Sequence, residues 1–169
     1  MKSKEKIAES LIELMKKQPY EEITIKEITS KAEVYRSTYY RNYKSKEAII
    51  KYKIETIMDE YLENYKKITQ KNKKTYLYTI FTTFKKHEEF FKIIHQQKQS
   101  YLIQQVLEEY FTKNRTLNNK EEYYKTYYHI GGINGFIICW INNNMKETPE
   151  ELTDIALKTT DITPILMKK

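Results

Sequence analysis

Thr24-Ile25-Lys26-Glu27-Ile28, then Ala32-Glu33-Val34-Tyr35, then Arg36-Ser37-Thr38-Tyr39-Tyr40-Arg41-Asn42-Tyr43-Lys44-Ser45-Lys46-Glu47 is the stretch that decides the fold. Thr24 followed three residues later by Glu27 is a capping box: the hydroxyl accepts from a free backbone N–H and the carboxylate reaches back. Ile23 and Ile28 stand at the two staple positions that fix how the chain enters the helix. A short helix is expected over about residues 25–32, a turn at Glu33-Val34-Tyr35, and a second short helix over 36–42. Ile28, Ala32, Val34 and Tyr39 can then bury, while Arg36, Ser37, Thr38 and Tyr40 face outward. Two helices joined by about three residues, the second held out, are the arrangement that enters the major groove of DNA.

Working outward, Ile7, Leu11, Leu14 and Met15 make a stripe at helical spacing, so a first helix is expected over about 2–17, ended by Gln18-Pro19-Tyr20. On the other side, Ser45 can cap a long helix whose apolar face is Ile50, Ile54, Ile57, Met58, Tyr61, Tyr65 and Ile68. Gln70-Lys71-Asn72-Lys73 is a polar break. Further helices are expected at about 74–86, 88–96, 99–113 and 120–144. The last should start at Thr148-Pro149-Glu150-Glu151, a cap, a first-turn proline and a capping-box glutamate in order. With only 3 Gly and 3 Pro and no strand-like alternation, the chain is expected to be all-α with about nine helices. Residues 1–47 would form a three-helix helix-turn-helix DNA-binding head. Residues 48–169 would form a helical domain for dimerisation and possible effector binding.

Charge supports that division. The chain carries a net +7, which favours an anionic partner without identifying one. Residues 1–53 hold 13 Lys and Arg against 8 acidic residues, whereas residues 54–169 hold 17 against 15. Within Val34 to Lys53 the cations Arg36, Arg41, Lys44, Lys46, Lys51 and Lys53 face Glu47 alone.

At these residues the sequence resembles the TetR family of bacterial helix-turn-helix transcriptional regulators. The family pattern is a Thr-capped helix, a turn, a small-residue, Thr, Leu or Phe, Tyr run, an aromatic and Lys-x-Lys-Glu. The match covers about residues 5–50. It implies double-stranded DNA as a partner and DNA-contacting roles for Thr24, Lys26, Tyr35, Arg36, Ser37, Thr38, Tyr40, Asn42 and Lys46. Thr24 and Lys46 would meet phosphates, and Arg36 could pair bidentately with guanine. Tyr39 and Tyr43 fall on buried positions of the pattern. Two residues depart from it: Glu33 replaces the usual turn glycine, and Tyr35 replaces a small polar residue.

The resemblance also implies a homodimer formed through the last two helices, a palindromic operator and a repressor released by a small effector. All 3 glycines, Gly131, Gly132 and Gly135, lie in the apolar stretch Tyr127 to Ile141, where a dimer interface or close internal packing is expected. Phe84, Phe91, Tyr101, Phe111, Tyr124, Tyr128 and Trp140 could line a pocket for a small apolar or aromatic effector. Plain core packing explains such aromatics equally well. A protein-partner module that kept the fold without reading DNA is the competing reading, kept open by Glu33 and Tyr35.

No catalytic, metal or cofactor motif is visible. His87 and His95 lie two helical turns apart, and His129 is the third and last histidine. No enzyme and no cofactor are expected. The lone Cys139 excludes an intrachain disulfide and is expected as a buried, inert thiol in a reducing cytosol. Glu9 and Glu13 interrupt the N-terminal apolar residues, and the longest apolar run has 7, so no signal peptide or membrane span is expected and the chain should be cytoplasmic.

Overall fold

The structure is a computed structural model that describes residues 2–113 and 119–159. Met1 and residues 160–169, the outer ends of the two expected domains, lie outside the described residues. Among the described residues there are nine α-helices, one 3-10 turn and no strand.

The head is built from α1 (Ser3–Met15), the 3-10 turn Tyr20–Glu22, α2 (Ile25–Lys31) and α3 (Arg36–Asn42). The α1 stripe of Ile7, Leu11 and Met15 is buried against Ile28 and Ala32 of the second helix and Tyr39 and Tyr43 around the third. Periodicity does not reveal the 3-10 turn, because three residues are too few to show a period.

From the head, α4 (Lys46–Lys66) runs into the body, its first turn capped by the Ser45 hydroxyl, which accepts from the Ala48 N–H at 3.2 Å. Its buried face, Ile50, Ile54, Ile57, Met58, Tyr61 and Tyr65, packs on α1 at one end and on α5 (Lys73–Lys86) and α7 (Tyr101–Thr112) further along. α6 (Glu88–Gln96) returns toward α1. α8 (Lys120–Asn142) packs on α7, and α9 (Pro149–Thr159) packs on α5. Thr148 caps α9 as expected: its hydroxyl accepts from the Glu151 N–H at 3.2 Å, and its own N–H donates to the Glu151 carboxylate at 2.8 Å.

Three helices end in the same left-handed turn, and none uses glycine. After α2, α6 and α8 the residues Glu33, Lys98 and Asn144 take φ of 54°, 59° and 57°. In each turn the next N–H reaches back five residues: Val34 to the Thr29 carbonyl at 3.0 Å, Gln99 to Ile94 at 2.7 Å, and Met145 to Trp140 at 2.7 Å. That is the Schellman geometry, which satisfies carbonyls the helix end leaves unpaired. Two of these turns move expected boundaries: the helix expected from 99 starts at Tyr101, and the one expected to reach 144 stops at Asn142.

No helix among the described residues is long and apolar enough to cross a membrane.

Candidate nucleic-acid interface

α2 is set by local chemistry at both ends. The Thr24 hydroxyl accepts from the Glu27 N–H at 3.2 Å and donates to the Glu27 carboxylate at 2.7 Å. That carboxylate also accepts the Thr24 N–H at 2.8 Å and the Gln18 amide at 3.2 Å. The Thr24 hydroxyl, then the Thr24 N–H and Gln18, hold the Glu27 carboxyl below the ordinary carboxylate range. At the turn Glu33 takes a left-handed conformation, φ 54°, of the kind that favours glycine. A Cβ there clashes with the following carbonyl, which costs roughly 1 kcal/mol.

Beyond that turn α3 stands out from the head on one buried edge. Tyr39 is 0% exposed and Tyr43 3%, with the Tyr43 hydroxyl donating to the Lys4 carbonyl at 2.9 Å. Opposite them, Tyr35 is 83% exposed and Tyr40 61%, and Arg36, Ser37 and Arg41 are exposed as well. Thr38 and Asn42 are half-buried, and the Asn42 amide donates to the Thr38 carbonyl at 2.7 Å, so its donor serves α3 itself. Lys26 is exposed on α2. No acidic residue belongs to α3. Tyr35 offers no side-chain cap to the helix it precedes, and its ring projects into solvent beside Arg36.

Lys46, which the resemblance places at a phosphate, has partners inside the chain. Its ammonium donates to the carbonyls of Tyr20 at 2.6 Å, Ile23 at 2.8 Å and Glu21 at 3.4 Å, and lies 4.4 Å from the Tyr20 ring centroid. An ammonium has three donors, and all three are committed inside the head. Lys46 ties the 3-10 turn to the start of α4.

The seven aromatics expected around a pocket do not converge. Phe84 and Phe91 stack on each other at 4.4 Å in the core, Trp140 packs edge-on to Phe81, and Phe111 meets His129. Tyr101, Tyr124 and Tyr128 are exposed. α8 is apolar on more than one side, and sequence does not tell which side meets its own chain. Cys139 is displaced from its expected place for the same reason: it is exposed, not buried.

A different group fills the middle of the body. Tyr61 stacks on Tyr65 with centroids 5.9 Å apart, and both rings stand edge-on to Tyr76. The Tyr76 hydroxyl meets His129 Nε2 at 2.5 Å. All four residues are buried, and the hydroxyls of Tyr61 and Tyr65 find no hydrogen-bond partner among the described residues. Burial drives the Tyr61 hydroxyl pKa far above its ordinary value, and burial followed by Asp59 and Glu63 pushes that of Tyr110 to about 12. The sequence signal for this cluster was the pair Tyr61 and Tyr65, one helical turn apart, with a single histidine in the apolar run of α8.

Gly131 and Gly135 are exposed and Gly132 half-buried. A Cβ added at any of the three meets nothing within 4 Å, so internal packing does not require them. With Tyr124, Tyr128 and Cys139 they mark one open face of α8.

Two family descriptions match the chain: "Bacterial regulatory proteins, tetR family" over residues 2–52 and "Transcriptional regulator C-terminal region" over residues 71–161. No curated protein matches it in sequence. Among solved structures, the chain is similar to the fatty acid degradation regulator FadR from Bacillus halodurans (TM-score 0.62, 14% identity, 94% of each chain covered). It is also similar to the dihydroxyacetone kinase operon activator DhaS (TM-score 0.56, 14% identity, 92% of each chain). A TetR-family transcriptional regulator from Bordetella parapertussis 12822 aligns with TM-score 0.51 and 16% identity over 98% of this chain and 97% of that one. At these identities the likeness is one of fold.

Proposed function

The chain belongs to the TetR family of bacterial transcriptional regulators, and from that premise we propose that it is a cytoplasmic repressor that binds a palindromic operator as a homodimer and is released by a small molecule. One observation carries the DNA-reading part: α3 exposes Tyr35, Arg36, Ser37, Tyr40 and Arg41 on the side opposite buried Tyr39 and Tyr43. In this reading Arg36 reads base edges, a bidentate pair to guanine being worth about 1–3 kcal/mol of discrimination. Tyr40, Tyr35 and Lys26 position the backbone, with Thr24, Ser37, Thr38 and Asn42 at the edge of the contact.

Residues 1–47 act as the reading head and 48–169 as the dimerising, effector-sensing body. The open α8 face of Gly131, Gly135, Tyr124 and Tyr128 receives a second copy, which sets the two α3 helices about 34–36 Å apart, one turn of DNA. A small apolar or aromatic effector acts in the body, where the buried hydroxyls of Tyr61 and Tyr65 are the groups left to meet a polar tip. It releases DNA only if it favours a head spacing that the operator does not fit.

The test is DNA binding across a salt series, with the sequence upstream of the protein's own gene as probe. Affinity should fall steeply with salt through counterion release. Tyr40→Ala should weaken binding in a folded protein, and Arg36→Ala should relax base preference more than it weakens non-specific affinity. Sedimentation of Gly131→Arg should show a folded monomer that no longer holds the operator. Salt-insensitive or absent DNA binding, with an intact dimer, would favour the protein-partner module instead.

A further inference from the structure

Besides apolar packing, one neutral side chain of the body hydrogen-bonds the backbone of the head. Gln97 follows α6, and its amide crosses to the other domain. Its Oε1 accepts the Tyr20 N–H at 2.8 Å, and its Nε2 donates to the Met15 carbonyl at 2.7 Å and the Gln18 carbonyl at 3.3 Å. The end of α1 leaves carbonyls without helical partners, and the start of the 3-10 turn leaves an N–H without one. Gln97 satisfies both from a position 77 to 82 residues away in the chain. Its own backbone is fixed: the Gln97 N–H donates to Ile93, Lys98 takes the left-handed conformation behind it, and buried Gln99 donates its amide to the Gln97 carbonyl at 3.1 Å.

The other side of the same 3-10 turn is gripped by Lys46 at the start of α4. Tyr20–Glu22 is therefore clamped between the α6–α7 turn and the helix that joins head to body. The remaining polar contact between α1 and α6, Lys16 with Glu89 at 2.8 Å, is solvent-exposed and contributes little. Beside the clamp lies an open cleft of about 520 Å³, lined in part by Lys17, Gln18, Gln96 and Lys98.

We propose that Gln97 is the positioning residue that sets the angle of the head against the body. Movement of the α6–α7 turn is passed through its amide to the end of α1 and the 3-10 turn, and from there to α2 and α3. Its meaning for DNA rests on the regulator reading above; the latch itself does not.

The test uses the full chain without DNA. In a Cys139→Ser background, Lys31→Cys on the head and Gln105→Cys on the body carry spin labels, diluted into unlabelled protein so that each distance is within one protomer. The latch predicts a single narrow distance for the parent. Gln97→Leu should broaden it, and amides of residues 15–23 should exchange roughly fivefold faster, the factor of one lost net hydrogen bond. Gln97→Glu keeps an acceptor for Tyr20 but loses the donor, so broadening should persist while the Tyr20 amide stays slow. An unchanged distance and unchanged exchange in Gln97→Leu would overturn the proposal; if that variant fails to fold, an unchanged distance in Gln97→Glu does the same. Failure of the parent protein to bind DNA would count against the regulator reading and leave these readouts standing.

Discussion

The Lys46 ammonium lies 2.6 Å from the Tyr20 carbonyl oxygen and 4.4 Å from the centroid of the same tyrosine's ring. One residue of the 3-10 turn thus offers both backbone and aromatic face to the first residue of α4. Lys46→Met keeps the stem and removes the donors, leaving the carbonyls of Tyr20 and Ile23 short of a partner. It should destabilise the protein by about 2 kcal/mol, the range for hydrogen bonds to a charged group. Urea denaturation measures this. Because the ammonium has no donor left for phosphate, Lys46→Met should leave the salt slope of DNA binding unchanged, whereas Lys26→Ala should reduce it by about 0.9.

At Glu33 the backbone holds φ at 54° with a side chain attached. Glu33→Gly should stabilise the protein by roughly 1 kcal/mol, and Glu33→Ala, which keeps the Cβ, should not. Thermal unfolding should show the glycine variant melting about 2–4 °C higher. A glycine variant no more stable than the alanine one would mean the turn is not strained.

Acid should loosen the head. The Glu27 carboxyl lies below its ordinary value of 4.5 because the Thr24 hydroxyl and N–H and the Gln18 amide bind its charged form. The unfolded chain therefore takes up this proton first. The contribution is complete above pH 4.5 and is lost as the pH falls through the lowered folded value. In a urea series from about pH 7 to pH 3, Glu27→Gln should show a shallower loss of stability than the parent.

Two buried tyrosines should respond in opposite ways. The Tyr61 hydroxyl has no hydrogen-bond partner among the described residues, so Tyr61→Phe should be neutral or stabilising by up to about 1 kcal/mol. Tyr76→Phe removes the hydrogen bond to His129 and should cost about 1–3 kcal/mol. Equal losses in the two variants would show that the Tyr61 hydroxyl is bonded after all.

The residues legible in the sequence were those whose partners lie within one helical turn. Thr24 and Glu27, Ser45 and Ala48, and Thr148 and Glu151 announce helix starts because a cap is a contact three residues long. The limits of α3 were legible for a related reason: its turn and its buried Tyr39 are local. The internal partners of Lys46 were not legible because they lie 23 to 26 residues away, in a turn too short to give a period. Gln97 carried no signal at all, since a glutamine in a polar turn is chemically bland until the fold brings Tyr20 to it. The exposure of Tyr124, Tyr128 and Cys139 was not legible because α8 has apolar residues on two sides, and only packing chooses between them.

α4 has 21 residues and so measures about 31 Å, with its first turn held in the head and the rest in the body. On that length it can serve as a lever. A tilt of about 5° at the body end sweeps the other end through roughly 3 Å on that length, about the reach of one hydrogen bond. On the proposed reading, a shift of tenths of an ångström at Tyr61 and Tyr65 would be enough to throw an arginine on α3 out of step with the edge of a base.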